Sequence, residues 1–227
     1  MKSKVIAIDC DGVMLDYNMA FKDLYLNHYK QDLQIKDPHA YHATNMFGLP
    51  KLQGEELENF HKSSDEYGLW GKMPAIENAI KSVESLNKLG YTCICVTSMP
   101  EKYAELRFEN LKSLGFQIER VIATSRVGSE NPKKKYIEEL NPEYFIDDLQ
   151  RNFEGIETDT TLVLIDRNHS DKPNEKHKHI PYDLKFNSLE GFVFYLIEKE
   201  LKEKVDYSWD NWLSGDDSAI NLNDKKG

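Results

Sequence analysis

Apolar residues along this chain fall into two alternating patterns. Short unbroken runs at Lys4 to Ile8, Tyr91 to Val96, Tyr144 to Ile146 and Thr161 to Ile165, with a weaker one at Arg120 to Ala123, have the look of strands buried on both faces of a parallel sheet. Between them, spacings of three and four predict helices. Ile76, Ala79, Ile80, Val83 and Leu86 form one stripe, with Gly90 where the helix would stop. Tyr103, Leu106, Asn110, Leu111 and Leu114 form another, closed by Gly115. Pro132 suits the first turn of a helix over Lys133 to Leu140. Ser188 suits the N-cap of a helix reaching about Lys204. From residue 76 onward strand and helix alternate, which predicts a Rossmann-like, mostly parallel α/β sheet with right-handed crossovers and helices on both faces.

Residues 16–74 interrupt that alternation. They carry a helical stripe (Tyr17, Phe21, Leu24, Tyr25, His28) and loop stretches around Pro38, Pro50 and Gly68 to Pro74, with no strand pattern. They read as a helical insertion in an α/β core made of residues 1–15 and 75–205. Residues 206–227 form an acidic tail in which Trp209, Trp212 and Leu213 keep a helical spacing suited to docking, while the end beyond Gly215 is expected to be loose.

Composition narrows the function classes. The chain has 227 residues and a net charge of −10, which argues against a nucleic-acid polymer or a basic membrane surface as partner. No apolar run approaches the roughly 18–20 residues of a membrane span, and the N-terminal run is too short for a secretion signal, so a cytoplasmic location is expected. Cys93 and Cys95, spaced one residue apart, point to one face of a strand and read as buried thiols; with Cys10 they fit a reducing compartment.

The candidate chemistry lies just past the apolar runs. The first ends in Asp9-Cys10-Asp11-Gly12, the second in Thr97-Ser98, the fourth in Asp147-Asp148. In a parallel sheet these ends share one edge, where ligands bind. Four carboxylates are thereby expected to converge beside two hydroxyls and the Lys133-Lys134-Lys135 run. Two like charges 4 Å apart repel by about 4 kcal/mol at an effective dielectric of 20, so such a cluster calls for a cation. Oxygen ligands favour a hard one, Mg²⁺. Gly12 allows the chain to turn and to offer backbone N–H groups to an anion.

Taken in order, these segments resemble the four motifs of the haloacid dehalogenase-like superfamily: Asp9 to Val13, Ile94 to Ser98, the Lys133 region, and Phe145 to Asp148. An insertion between the first two resembles the helical cap of one subclass. Asp9 to Tyr17, Met73 to Ala79 and Ile94 to Pro100 are most similar to the 5′(3′)-deoxyribonucleotidase branch. The resemblance implies a Mg²⁺-dependent phosphomonoester hydrolase with Asp9 as nucleophile and Asp11 as general acid and base. It implies Mg²⁺ held by Asp9, the Asp11 backbone carbonyl and Asp148, with Asp147 as a further ligand or a supporting group. It implies phosphate held by Thr97, Ser98 and a lysine. Lys133 shares a face with Ile137 and Leu140 and is the first choice; Lys134 and Lys135 are the alternatives. Tyr17 falls where the nucleotidase branch stacks an aromatic on the base, although it also fits the core of its own helix. The substrate expected is a small phosphorylated molecule such as a nucleoside monophosphate.

Other readings compete. A sugar phosphate is one. A phosphonate is another, whose Schiff-base lysine would be sought among Lys22, Lys30, Lys36, Lys51, Lys62 and Lys72. Dehalogenases of the superfamily lack the second aspartate of the first motif, so Asp11 speaks against that chemistry. A phosphoacceptor or purely binding domain is the alternative without turnover; the first-strand position of Asp9 disfavours it. His169, His177 and His179 lie near Asp166 and Asp171, where a solvated loop is expected rather than a second metal site, and His39 and His42 read the same way. Arg167, just past the last strand, is a candidate for the active edge.

Overall fold

The computed structural model describes residues 4–125 and 131–214, with side chains up to residue 202. Six strands form one wholly parallel sheet in the order β3-β2-β1-β4-β5-β6. They are β1 (Val5–Ile8), β2 (Thr92–Thr97), β3 (Val121–Ala123), β4 (Tyr144–Asp147), β5 (Thr161–Ile165) and β6 (Leu184–Phe186). The expected α/β sheet is thus present, with one more strand than its apolar runs announce. β6 is a three-residue edge strand, too short and too exposed to carry a pattern.

The two-residue period of the strands sorts their side chains onto two faces. Ile6, Ile8, Cys93, Cys95 and Ile146 join one apolar cluster with Val83, Leu86, Leu111 and Phe192, whereas Ala7, Ile94, Val96, Phe145 and Leu164 join another with Ile137 and Phe153. The helices α4 (Ala79–Lys88), α5 (Ala104–Leu114) and α7 (Leu189–Ser214) serve the first face and α6 (Lys134–Leu140) the second. The thiols of Cys93 and Cys95 are buried, as the alternation implies; burial pushes that of Cys93 up to about 12.

Helix ends follow local chemistry. α4 begins at Ala79 rather than at Ile76, because Asn78 between them sits at φ +61°, outside the right-handed helical region; the Ile76 N–H is given to the Met14 carbonyl at 2.9 Å. Ser188 caps α7 by accepting the Gly191 N–H at 3.1 Å. That helix continues to Ser214, about ten residues past its expected end and into the segment read as a tail. The docking of Trp209, Trp212 and Leu213 and the loose end beyond Gly215 lie outside the described side chains and residues.

Between β1 and α4 the insertion forms α1 (Tyr17–Asn27), α2 (Ala43–Met46), α3 (Gly54–Tyr67) and a single turn at Leu69–Gly71, without a strand among residues 16–74. Asp16 caps α1 by accepting the Met19 N–H at 3.0 Å. Phe21 packs on Tyr25, Phe47 and Phe60, which gives these helices an aromatic core. The chain enters and leaves the insertion side by side. Leu15 and Ala75 form an antiparallel bridge, and the Asp16 N–H donates to the Pro74 carbonyl at 2.9 Å. No helix among the described residues is long and apolar enough to cross a membrane.

Candidate active site

β1 lies between β2 and β4, so the chain departs from it in opposite directions along the sheet. A crevice forms beyond the strand ends at such a point. Asp9 follows β1 directly, Asp147 ends β4 and Asp148 succeeds it, and carboxylate oxygens of all three lie within 4.8 Å of one another. All three residues are buried.

Their surroundings separate them. Lys133 is fully buried just before α6 and places Nζ 2.5 Å from Asp9 Oδ1 and 2.6 Å from Asp147 Oδ2. Burial works against its charge, but the Asp147 and Asp9 carboxylates outweigh it and hold the ammonium above its ordinary range. Asp147 is further tied down: Oδ1 accepts the Leu149 N–H and the Asn152 amide, each at 2.8 Å. Its oxygens are thus engaged by protein donors, which suits a supporting group better than a metal ligand. Burial raises its pKa to about 6, offset in part by Lys133. Asp148 is the opposite case. Neither of its buried oxygens has a hydrogen-bond partner among the described residues. Burial, then the neighbouring Asp9 and Asp147 charges, push it well above the carboxylate range.

A buried carboxylate without a partner is costly, and a bound cation removes that cost. The backbone leaves room for the arrangement. Gly12 sits at φ +86°, and a Cβ there would come 1.9 Å from Asp148 Oδ2. The residues therefore fit a hard divalent ion held by Asp148 and Asp9. Among the described residues this is the one grouping of His, Cys, Asp and Glu close enough to share an ion. His169, His177 and His179 are not part of it.

Of the four carboxylates expected to converge, three do. Asp11 turns aside, with Oδ1 2.9 Å from Arg107 NH1. Arg107 is 0% exposed, whereas Leu106, expected on the buried stripe, is 41% exposed. Asn110 and Leu111 are buried as the stripe implies, and Arg107 is buried with them because it has a carboxylate to meet and an aromatic neighbour, its guanidinium lying 5.6 Å from the Trp70 ring. Asp11 foremost keeps the guanidinium charged against the effect of burial. In an amphipathic stripe an arginine reads as a solvent-facing residue, so no sequence signal marked Arg107.

Thr97 ends β2 and is buried beside β1; Ser98 follows it and lines the crevice. Lys133, rather than Lys134 or Lys135, reaches the carboxylates. Lys134 pairs with Glu138 at 2.5 Å and Lys135 lies 3.7 Å from Glu139 on the surface.

Above these groups the crevice opens into a cavity of about 860 Å³. Its floor includes Asp11, Gly12 and Ser98, and its insertion side includes Tyr17, Tyr41, Phe60 and Trp70. Tyr17 both lines the cavity and packs on Phe21 and Trp70, each with ring centroids 6.4 Å apart. Trp70 stacks on Tyr103 at 5.7 Å. Arg167 reaches the cavity wall, as its position after β5 suggested.

No family model matches the chain, and no curated protein matches its sequence. Its structure does have neighbours. A haloacid dehalogenase-like family hydrolase from Streptococcus pneumoniae is similar with a TM-score of 0.58 at 14% identity, over 86% of this chain and 99% of that one. A protein described as a predicted phosphoglycolate phosphatase from Haemophilus somnus scores 0.53 at 13% identity, over 86% and 99%. A HAD family hydrolase from Deinococcus radiodurans, determined with bound phosphate and sodium, scores 0.55 at 14% identity, over 88% and 97%. Dehalogenases share the architecture as well. These likenesses give the chain a haloacid dehalogenase-like fold.

Proposed function

We propose that this chain is a Mg²⁺-dependent phosphomonoester hydrolase that works through a phosphorylated Asp9, with residues 16–74 as a helical cap and a nucleoside monophosphate as its class of substrate. The observation that carries the reading is the buried, unpartnered Asp148 carboxylate beside an Asp9 held by Lys133. The Deinococcus relative, which holds phosphate and a cation, supports it.

Lys133 fixes Oδ1 of Asp9, and the other oxygen is assigned to attack. As the Asp9 oxygen–phosphorus bond forms, the bond from phosphorus to the leaving oxygen breaks, and Asp11, protonated and turned from Arg107 toward the substrate, is assigned to deliver a proton to that oxygen. Water then gives a proton to Asp11 and attacks phosphorus, and the bond to Asp9 breaks, releasing inorganic phosphate. Thr97 and the Ser98 N–H are assigned to the phosphoryl oxygens. Asp148, Asp9 and the Asp11 carbonyl are assigned to Mg²⁺, which when bound offsets phosphoryl negative charge. A halide departs without a proton, so a dehalogenase has no use for Asp11, and the phosphatase reading is preferred. The aromatic side of the cavity, with Tyr17, Trp70 and Tyr103, favours a leaving group with a flat ring over a sugar.

The test is phosphate release from nucleoside 5′- and 3′-monophosphates, sugar phosphates and p-nitrophenyl phosphate, with Mg²⁺ and with chelator, for wild type and Asp9→Asn. Metal-dependent release that disappears in Asp9→Asn is the expected result, greatest for a nucleotide. Release that survives the substitution removes Asp9 as nucleophile, and a preference for sugar phosphates removes the nucleotide reading. Borohydride inactivation in the presence of a phosphonate would favour Schiff-base chemistry, for which Lys51 is the candidate at the cavity wall.

A further inference from the structure

One stretch of the insertion is fastened to the core far more firmly than its loop character requires. The Asp171 carboxylate, in the loop after β5, accepts four hydrogen bonds from it: from the Tyr41 N–H at 2.7 Å, the His42 N–H at 3.0 Å, His42 Nδ1 at 2.9 Å and the Asn45 amide at 2.8 Å. Two neighbours add to the seam. The Ser170 N–H donates to the His39 carbonyl at 3.0 Å, and the Ser170 hydroxyl donates to Asp37 at 2.5 Å. These contacts join residues some 130 positions apart in the chain.

The residue that this clamp positions is Tyr41. Its ring is wedged edge-on against His42 and His169, with centroids 5.1 and 5.3 Å away, and it lines the cavity above the strand ends. Burial, and after it the charges of Asp148, Asp9, Asp147 and Asp11 in turn, keep its hydroxyl protonated far above the ordinary tyrosine range. Tyr41 lines the same cavity as Asp11, Gly12 and Ser98, so the insertion places one phenol in the crevice above the strand ends. A phenol is a neutral donor. Placed beside an acidic cluster it can bind an anion without adding or removing charge.

We propose that Tyr41 is a substrate-contacting residue, whose hydroxyl donates to an oxygen of the bound phosphoryl group, and that Asp171 is the positioning residue that holds it there. This rests on the reading of the strand ends as a phosphate site. It also makes the 37–45 segment the part of the insertion that touches the reacting group, distinct from the rings that face the leaving group.

Inorganic phosphate, titrated calorimetrically in Mg²⁺, is the probe, with phosphate release measured in parallel. Tyr41→Phe keeps the ring packing, so its thermal unfolding should match wild type while phosphate binds about tenfold more weakly, as expected for one lost hydrogen bond to a charged group. Asp171→Ala should weaken binding by a similar factor, and the double variant should be no weaker than either single one, because the two act through the same hydroxyl. Undiminished phosphate affinity in Tyr41→Phe overturns the proposal, and additive losses overturn the role of Asp171. If wild type binds phosphate and Tyr41→Phe binds it weakly while no ester is hydrolysed, the Tyr41 contact stands and the hydrolase reading falls. If wild type binds no phosphate, both fall.

Discussion

At the sheet edge Asp9, Asp147 and Asp148 each end a strand or directly follow one, and their contacts are short: Lys133, just before α6, lies between Asp9 and Asp147 at 2.5 and 2.6 Å. On the insertion side the cavity is walled by rings held in ordinary aromatic packing: Tyr17 on Trp70 at 6.4 Å, Phe60 on Phe21 at 5.3 Å, and Tyr41 on His42 and His169 at 5.1 and 5.3 Å. The first wall is placed by backbone register and tolerates little change. The second is placed by side-chain packing, and can change its shape without disturbing the carboxylates. Under the proposed function the reacting groups come from the first wall, with Tyr41 the one addition from the second, and the rings that face the leaving group come from the second, so substitutions on the two walls should separate in the same way.

Asp9→Asn should have the largest effect, a fall in kcat of about 10⁴-fold or more with little change in thermal unfolding, as for loss of a nucleophile. A fall below tenfold would remove the sheet edge as the seat of the chemistry. Lys133→Met comes next. It leaves Asp9 and Asp147 buried without their shared cation, and should cost about 3–5 kcal/mol in urea unfolding. A cost under about 1 kcal/mol would mean that these carboxylates are not dependent on Lys133.

Metal and pH test the same wall without mutation. Asp147, raised to about 6, and Asp148, raised further, bind protons more tightly in the folded chain than in the unfolded one. Their contribution to stability is full below the unfolded carboxylate range near pH 4 and is lost as pH rises through about 6 and beyond. Metal-free protein should therefore lose stability over that interval. Mg²⁺ at 100 times its Kd should restore about 2.7 kcal/mol at neutral pH, and less at pH 5. A melting temperature indifferent to Mg²⁺ at pH 7.5 would count against the cation site. The smallest effect is expected from the ring wall: Tyr17→Ala should raise KM for a nucleoside monophosphate about tenfold, within the range of one lost stacking contact, and leave kcat unchanged. Equal losses for a sugar phosphate would show that Tyr17 only packs the helix.

The same division explains what the sequence disclosed. Asp9, Asp147 and Thr97 each directly follow or end an apolar run, so strand periodicity alone places them together. Lys133 was separable from its neighbours because it shares a face with Ile137. Asp11 was expected among the carboxylates, yet its partner is Arg107 on a helix about a hundred residues away, a pairing that depends on how α5 rolls against the sheet. Tyr41 gave no signal at all, since a loop residue acquires its position from Asp171, 130 residues later. The edge strand β6 escaped for a simpler reason, that three partly exposed residues present no apolar pattern, while in the extension of α7 the helical spacing of Trp209, Trp212 and Leu213 was visible but too short to join to the helix before it.

The bridge between Leu15 and Ala75 brings both ends of the insertion to the same point on the molecule. A tight turn from Leu15 to Ala75 could close the chain there without shifting the pairing of any strand. The 59 residues between them thus leave and rejoin the core at one place, as a cassette on a socket would. A laboratory graft at these two positions should therefore change the ring wall of the cavity while leaving Asp9, Asp147 and Asp148 in place.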